Sequence, residues 1–136
     1  MNEETQKKYM EMQTIQQEVM QLHKQVETLQ QQKAELVSTI SSIDELSNTK
    51  EEKELLTPVS QGIFIKSKIK GVKELLVNVG SGVVVKKDVN GAKALVEQQI
   101  HEIDTLSEEF IERINASLRK ASTLEADVQK VMEKNV

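Results

Sequence analysis

Val59-Ser-Gln-Gly-Ile-Phe-Ile-Lys66 recurs twenty residues later as Val79-Gly-Ser-Gly-Val-Val-Val-Lys86. In both copies a short glycine-bearing turn separates runs of β-branched residues, the pattern of a β-hairpin. Reading outward predicts four strands, Leu55–Val59, Ile63–Ile69, Leu75–Val79 and Val83–Lys87. The second strand alternates, with Ile63, Ile65, Ser67 and Ile69 on one face and Phe64, Lys66, Lys68 and Lys70 on the other. Leu75, Val77 and Val79 continue the alternation in the third. Two consecutive hairpins of one type are the expectation.

On either side of this centre the composition changes. All five glycines and the single proline lie within residues 55–91, while 1–54 and 92–136 hold none and are rich in Gln, Glu, Lys, Leu and Ile. In the first flank Met12, Ile15, Val19, Leu22, Val26, Leu29, Leu36, Ile40 and Ile43 recur in steps of three and four, broken only at Lys33. That rhythm is the a/d seam of a coiled coil. The second flank keeps it through Val96, Ile100, Ile103, Phe110, Ile114, Ala121, Leu124, Val128 and Val131, with Ser107 and Ser117 at seam positions. Leu106, Ile111 and Leu118 sit beside those serines and widen the stripe. Asp88 is a suitable N-cap for a helix starting near Val89. One narrow apolar stripe cannot bury itself, so each arm needs a partner helix. Equal arms around a compact centre favour one antiparallel hairpin, although pairing between molecules fits the same register. The expected division is an N-terminal coiled-coil helix over 1–54, two β-hairpins over 55–87 and a C-terminal coiled-coil helix over 88–136.

Composition narrows the function. With 18 basic and 22 acidic residues the net charge is −4, which gives no global attraction to nucleic acid. No cysteine is present, so disulfides and thiol chemistry are excluded, as in a reducing compartment. No apolar run is long enough for a membrane span or a signal-peptide core, and the expected setting is cytoplasmic. Aromatic residues make up 2% of the chain, too few for an ordinary compact core. Four short strands offer too little apolar surface for an independent sheet, and their open edges invite association. The centre is therefore expected to be completed by other subunits.

Leu56-Thr-Pro-Val-Ser-Gln-Gly-Ile-Phe-Ile-Lys66 and Val77-Asn-Val-Gly-Ser-Gly-Val-Val-Val-Lys-Lys87 resemble the strand motifs of prefoldin subunits. The helix, two hairpins and helix together resemble the two-hairpin, α class of that family in its archaeal form, over the whole chain. Ser60 and Gln61 depart from the small residues common in the family's turn. The resemblance implies an α+β fold in which a long antiparallel coiled coil carries two central β-hairpins that join an oligomeric β-barrel. It also implies a hetero-hexamer of two α and four β subunits that holds non-native proteins between its arm tips without ATP. Such an assembly delivers its clients to a group II chaperonin.

Under that reading the candidate client contacts at the helix ends are Tyr9, Met10, Met12, Ile15, Val128, Val131, Met132 and Val136. Flexible, polarizable methionines suit a client of no fixed shape, and several arms acting together would supply avidity. Met12, Ile15, Val128 and Val131 also read as plain seam residues. The candidate assembly contacts are Val59, Ile63, Phe64, Ile65, Val77, Val79, Val83 and Val85.

Catalytic chemistry finds no footing, and the chain reads as a non-enzyme without cofactor or metal. Val85 stands where a dinucleotide-binding loop needs its third glycine, and there is no phosphate-binding G-x-x-x-x-G-K-[ST]. His23 and His101 lie on different arms and read as surface histidines. The sequon Asn115-Ala-Ser117 has no secretion signal to serve it. Lys66, Lys68, Lys70, Lys73, Lys86 and Lys87 form a basic outer face of the centre, with only Phe64 as an aromatic companion. That face suits edge solubility or electrostatic docking of the chaperonin better than nucleic acid, and no membrane partner is expected. The alternative function is a coiled-coil oligomeric scaffold that binds one fixed protein partner.

Overall fold

The computed structural model describes residues 2–49, 52–69 and 71–134. Element order is α1 (Glu3–Ser47), β1 (Lys53–Ser60), β2 (Ile63–Ile69), β3 (Glu74–Gly80), β4 (Val83–Asp88) and α2 (Val89–Lys134). Local chemistry sets the helix ends. Asn2 caps α1, its Oδ1 accepting from the Thr5 N–H at 2.9 Å and the Thr5 hydroxyl at 2.7 Å. Asp88 caps α2 as expected, its Oδ1 accepting from the Gly91 N–H at 2.6 Å. The glycine-free block runs to 54, but α1 stops at Ser47. There the Ser47 and Thr49 hydroxyls donate to the carbonyls of Asp44 and Glu45, and the Thr49 N–H donates to Leu46. The Glu45 carbonyl thus takes a hydroxyl in place of its helical N–H, while Asp44 keeps its helical donor, the Asn48 N–H, at 3.1 Å.

The chain divides into two compact units, residues 1–33 with 102–136, and residues 34–101. In the first, Ile15 and Val19 of α1 pack with Ile114 and Leu124 of α2, flanked by Met12, Leu22, Val26 and Ala121. Ion pairs Lys8–Asp127 (3.8 Å) and Lys33–Asp104 (2.8 Å) give an antiparallel register. In the second, Ile43 packs with Ala92 and Val96, joined by Leu36, Ile40, Ile100 and by Leu75 and Val77 of β3. The arms therefore pair within one molecule. Every apolar residue of both predicted seams is buried or half-buried. Lys33, the seam's interruption, stays half-buried by pairing with Asp104. Leu106, Ile111 and Leu118, expected to widen the seam, instead remain exposed at 39%, 44% and 49%.

The strands form two separate antiparallel pairs, β1–β2 and β3–β4. The internal repeat reappears as a repeated irregularity, since the register skips at Val59 in one hairpin and at Val79 in the other. The turns themselves differ. Gly62 alone is left-handed in the first (φ 81°), whereas Ser81 (φ 52°) and Gly82 (φ 77°) are both left-handed in the second. Positive φ at both central residues is the type I′ pattern, which matches strand twist. Ser81 carries the cost of a side chain in that region.

Two stability measurements follow from the helix pairing. Ser107 is 3% exposed, and its hydroxyl has no hydrogen-bond partner among the described residues. Ser107→Ala is expected to stabilise the chain by about 1 kcal/mol, read as a melting temperature raised by roughly 2–4 °C; a lower melting temperature would contradict the unsatisfied hydroxyl. The second concerns Lys93, whose ammonium lies 2.6 Å from Asp44. The hydrogen bond and charge of Asp44, aided by Glu97, hold Lys93 above the ordinary lysine range against some desolvation. A raised lysine contributes stability in full below its unfolded pKa and loses it as pH rises through the folded one. Alkaline titration should therefore destabilise the wild type more than Lys93→Met, with the two curves parallel at neutral pH.

Candidate functional site

Two surfaces carry the residues that matter, one in each unit. In the hairpin unit, cross-strand pairing shows which side chains share a face. Leu75 lies opposite Lys87 and Val77 opposite Val85, and Leu75 and Val77 face the helices. Side chains alternate, so Leu76, opposite Lys86, and Val84, opposite Asn78, turn away from the helices. Leu76 is 71% exposed and Val84 54%.

Hairpin β1–β2 is open on both faces. Leu55, Thr57 and Ile65 share one side, and Leu56, Pro58 and Phe64 the other. Every residue of β1 is exposed, and Ile63, Phe64 and Ile65 of β2 are exposed as well. A Thr57–Ser67 hydroxyl contact at 2.6 Å supplies a little polar order on the first face. A two-stranded sheet also leaves one edge of each strand without ladder partners. The surface thus combines exposed apolar side chains with unpaired backbone, a combination that monomeric proteins avoid.

Of the candidate assembly residues, Val59, Ile63, Phe64, Ile65, Val79 and Val83 are exposed, while Val77 and Val85 are half-buried. Leu55, Leu56, Leu76 and Val84, which are not among those candidates, are exposed as well. The repeat held the signal for them, because Leu56 and Leu76 occupy equivalent positions, as do Phe64 and Val84. Lys66, Lys68, Lys73, Lys86 and Lys87 are exposed, and Lys70 lies outside the described residues. Lys66 and Lys86 stand directly opposite Leu56 and Leu76, so the basic character and the outward apolar residues share one face.

At the helix ends of the other unit, the candidate client contacts separate by burial. Tyr9, Met10 and Met132 are exposed, Met10 to 68%. Met12 and Val131 are half-buried. Ile15 and Val128 are buried in the seam and offer no surface while the helices stay paired. Val136 lies outside the described residues. No group of acidic or histidine side chains suited to a metal ion occurs among the described residues. Nor is any described helix long and apolar enough to cross a membrane.

Comparison with known proteins agrees over the full length. The family model for prefoldin subunits matches residues 1–134. Prefoldin subunit alpha of Methanococcus aeolicus is 26% identical over 133 residues, which cover 98% of this chain and 90% of the relative. Among solved structures, a chain of filamentous PFD from Methanocaldococcus jannaschii superposes with a TM-score of 0.79. At 18% identity, covering 88% of this chain and 98% of that one, it speaks for the fold. Paired helical arms, two small hairpins with open edges and a family match along the chain lead to one conclusion: the protein belongs to the prefoldin family, as a prefoldin-type chaperone subunit.

Proposed function

We propose that the chain is the α-class subunit of an ATP-independent holdase. It would assemble through its hairpins with β-class subunits, two α to four β, into a cytoplasmic hetero-hexamer. The ends of its paired helices would capture non-native proteins for delivery to a group II chaperonin. The observation that carries this reading is the β1–β2 hairpin, apolar on both faces and unpaired at both edges. Burial of such a surface needs strands from other chains. The relative's printed name supports the α class, and the filament of the structural neighbour supports assembly between chains. In this scheme residues 55–87 are the assembly platform, and 1–54 and 88–136 are the arms.

Client capture rests on the exposed Tyr9, Met10 and Met132, with Met12 and Val131 at the margin. Burying one such side chain contributes roughly 1.5–3 kcal/mol. One arm therefore holds weakly, and several arms on one client hold firmly yet release stepwise. Ile15, Val128 and the other seam residues keep the ends paired.

Light scattering after size exclusion tests assembly. The chain mixed with a β-class prefoldin subunit should give a hexamer near 2:4. Ile65→Asp, which alters an exposed side chain, should weaken assembly by roughly a hundredfold or more while leaving helix content unchanged. A monomer that ignores the β subunit would favour the fixed-partner scaffold. Capture is tested by the aggregation of unrelated denatured proteins. The assembled hexamer should suppress it, and removal of the first and last ten residues should weaken suppression without changing the mass ratio of the subunits.

A further inference from the structure

The unit of residues 1–33 and 102–136 is chemically lopsided about its seam. Val19, Ile114 and Val128 occupy a positions of the heptads, and Ile15 and Leu124 occupy d positions. Positions e and b of each helix then fall on one flank of the pair, and g and c on the other. An antiparallel pairing sets e against e and g against g. The g flank is mixed in charge: Glu11 and Glu18 belong to it, as do Arg113, Lys120 and the Lys8–Asp127 ion pair.

The e flank differs. It carries Tyr9, Ile111, Leu118 and Met132 at e positions and Met20 at a b position, exposed to between 37% and 63%. Every lysine and arginine of this unit stands at an a, c, d, f or g position. Acids are present at e and b, as Glu27, Glu108, Glu125 and Asp104. Among the described residues only Asp104 of these has its charge met, by Lys33 reaching across from the seam at 2.8 Å. The flank is thus an exposed apolar row, interspersed with amides and acids, on which no cation is seated at e or b. Ile111, Leu118, Glu125 and Met132 follow one another every seven residues, about 10.5 Å apart along the helix. Three residues of an extended chain span about the same distance.

We propose that this cation-free flank is the surface on which the chain holds a non-native segment, and that it selects segments whose apolar residues are interspersed with lysine or arginine. The proposal rests on the holdase reading and adds a client class to it. Apolar side chains of the segment cover Ile111, Leu118 and Met20, and its cations approach Glu108 and Glu125. An acidic segment finds no cation at e or b and is repelled. The charged contacts are exposed, so their selectivity is modest and salt-dependent.

The test uses the full chain and two short fluorescent peptides of identical Leu, Val, Gly and Ser content, one carrying lysines and the other glutamates in the same places. Fluorescence anisotropy at low ionic strength should show the lysine peptide binding about three- to fivefold more tightly per engaged contact. The difference should disappear near 1 M salt. Glu108→Lys with Glu125→Lys should reverse the preference, and Leu118→Gln with Met20→Gln should weaken both peptides at unchanged helix content. Equal affinity for the two peptides, or a preference that survives the double charge reversal, would overturn the proposal. So would a doubling of the chain's mass that Leu118→Gln abolishes, because the flank would then be covered by a second copy. If the assembled wild type suppresses no aggregation at all, the holdase reading itself fails, whereas suppression with indifferent peptides removes only the client preference.

Discussion

The structure depends on the pairing of α1 with α2 along a seam about one side chain wide. Neither helix has enough apolar surface to persist alone. The steps of three and four put Ile15, Val19 and Leu22 on one stripe of α1, and that stripe is covered by Ile114, Ala121 and Leu124. Where the seam admits a lysine, the partner helix answers it with a carboxylate: Lys33 meets Asp104 and Lys93 meets Asp44, whereas the buried Ser107 hydroxyl goes unanswered among the described residues. Such pairs contribute little net stability at a half-exposed site, but displacing the helices by one residue would separate them. They reinforce the register that the apolar residues create.

The hairpins exist under the opposite constraint. Leu75 and Val77 anchor one of them to Ile43, Ala92 and Val96, and its core contribution ends there. The other has no residue in either core cluster. A strand pair that small gains too little by burial to be stable alone. Its sequence is nevertheless apolar on both faces. That contradiction within a monomer is resolved only by neighbouring chains, which is why prefoldin-family membership and the hairpin surface point to the same assembly.

The helix ends and the flanks of the pair add a second division of labour. Buried seam residues such as Val128 maintain the pairing, while Met10, Met132 and Leu118 stay in solvent. The proposed holdase role would require this separation, because a surface that binds clients cannot also be consumed in holding its own helices together. The distribution of charge adds direction to it, since lysines and arginines are absent from one flank and present on the other.

Periodicity alone was enough to identify both helices, both seams and the second strand at Ile63–Ile69, and the capping chemistry of Asp88 set the helix start near Val89. These features depend on residues close in sequence, whose spacing of 3.6 or 2 is set by backbone geometry. The cap at Asp88 was legible for the same reason. Tertiary structure decided what spacing cannot express. It made the helix pairing intramolecular, a choice between chemically equivalent partners. It left Ile111 and Leu118 in solvent, because a seam has room for a and d and little else. It ended α1 at Ser47, where the Thr49 hydroxyl took the place of a helical donor to the Glu45 carbonyl. It gave the two hairpins different turns despite their repeat, since Ser81 accepts a left-handed backbone that Gln61 does not. It also separated exposed Met10 from buried Ile15 at the same helix end, because burial depends on the partner helix, and the identity of that partner is not written in local spacing.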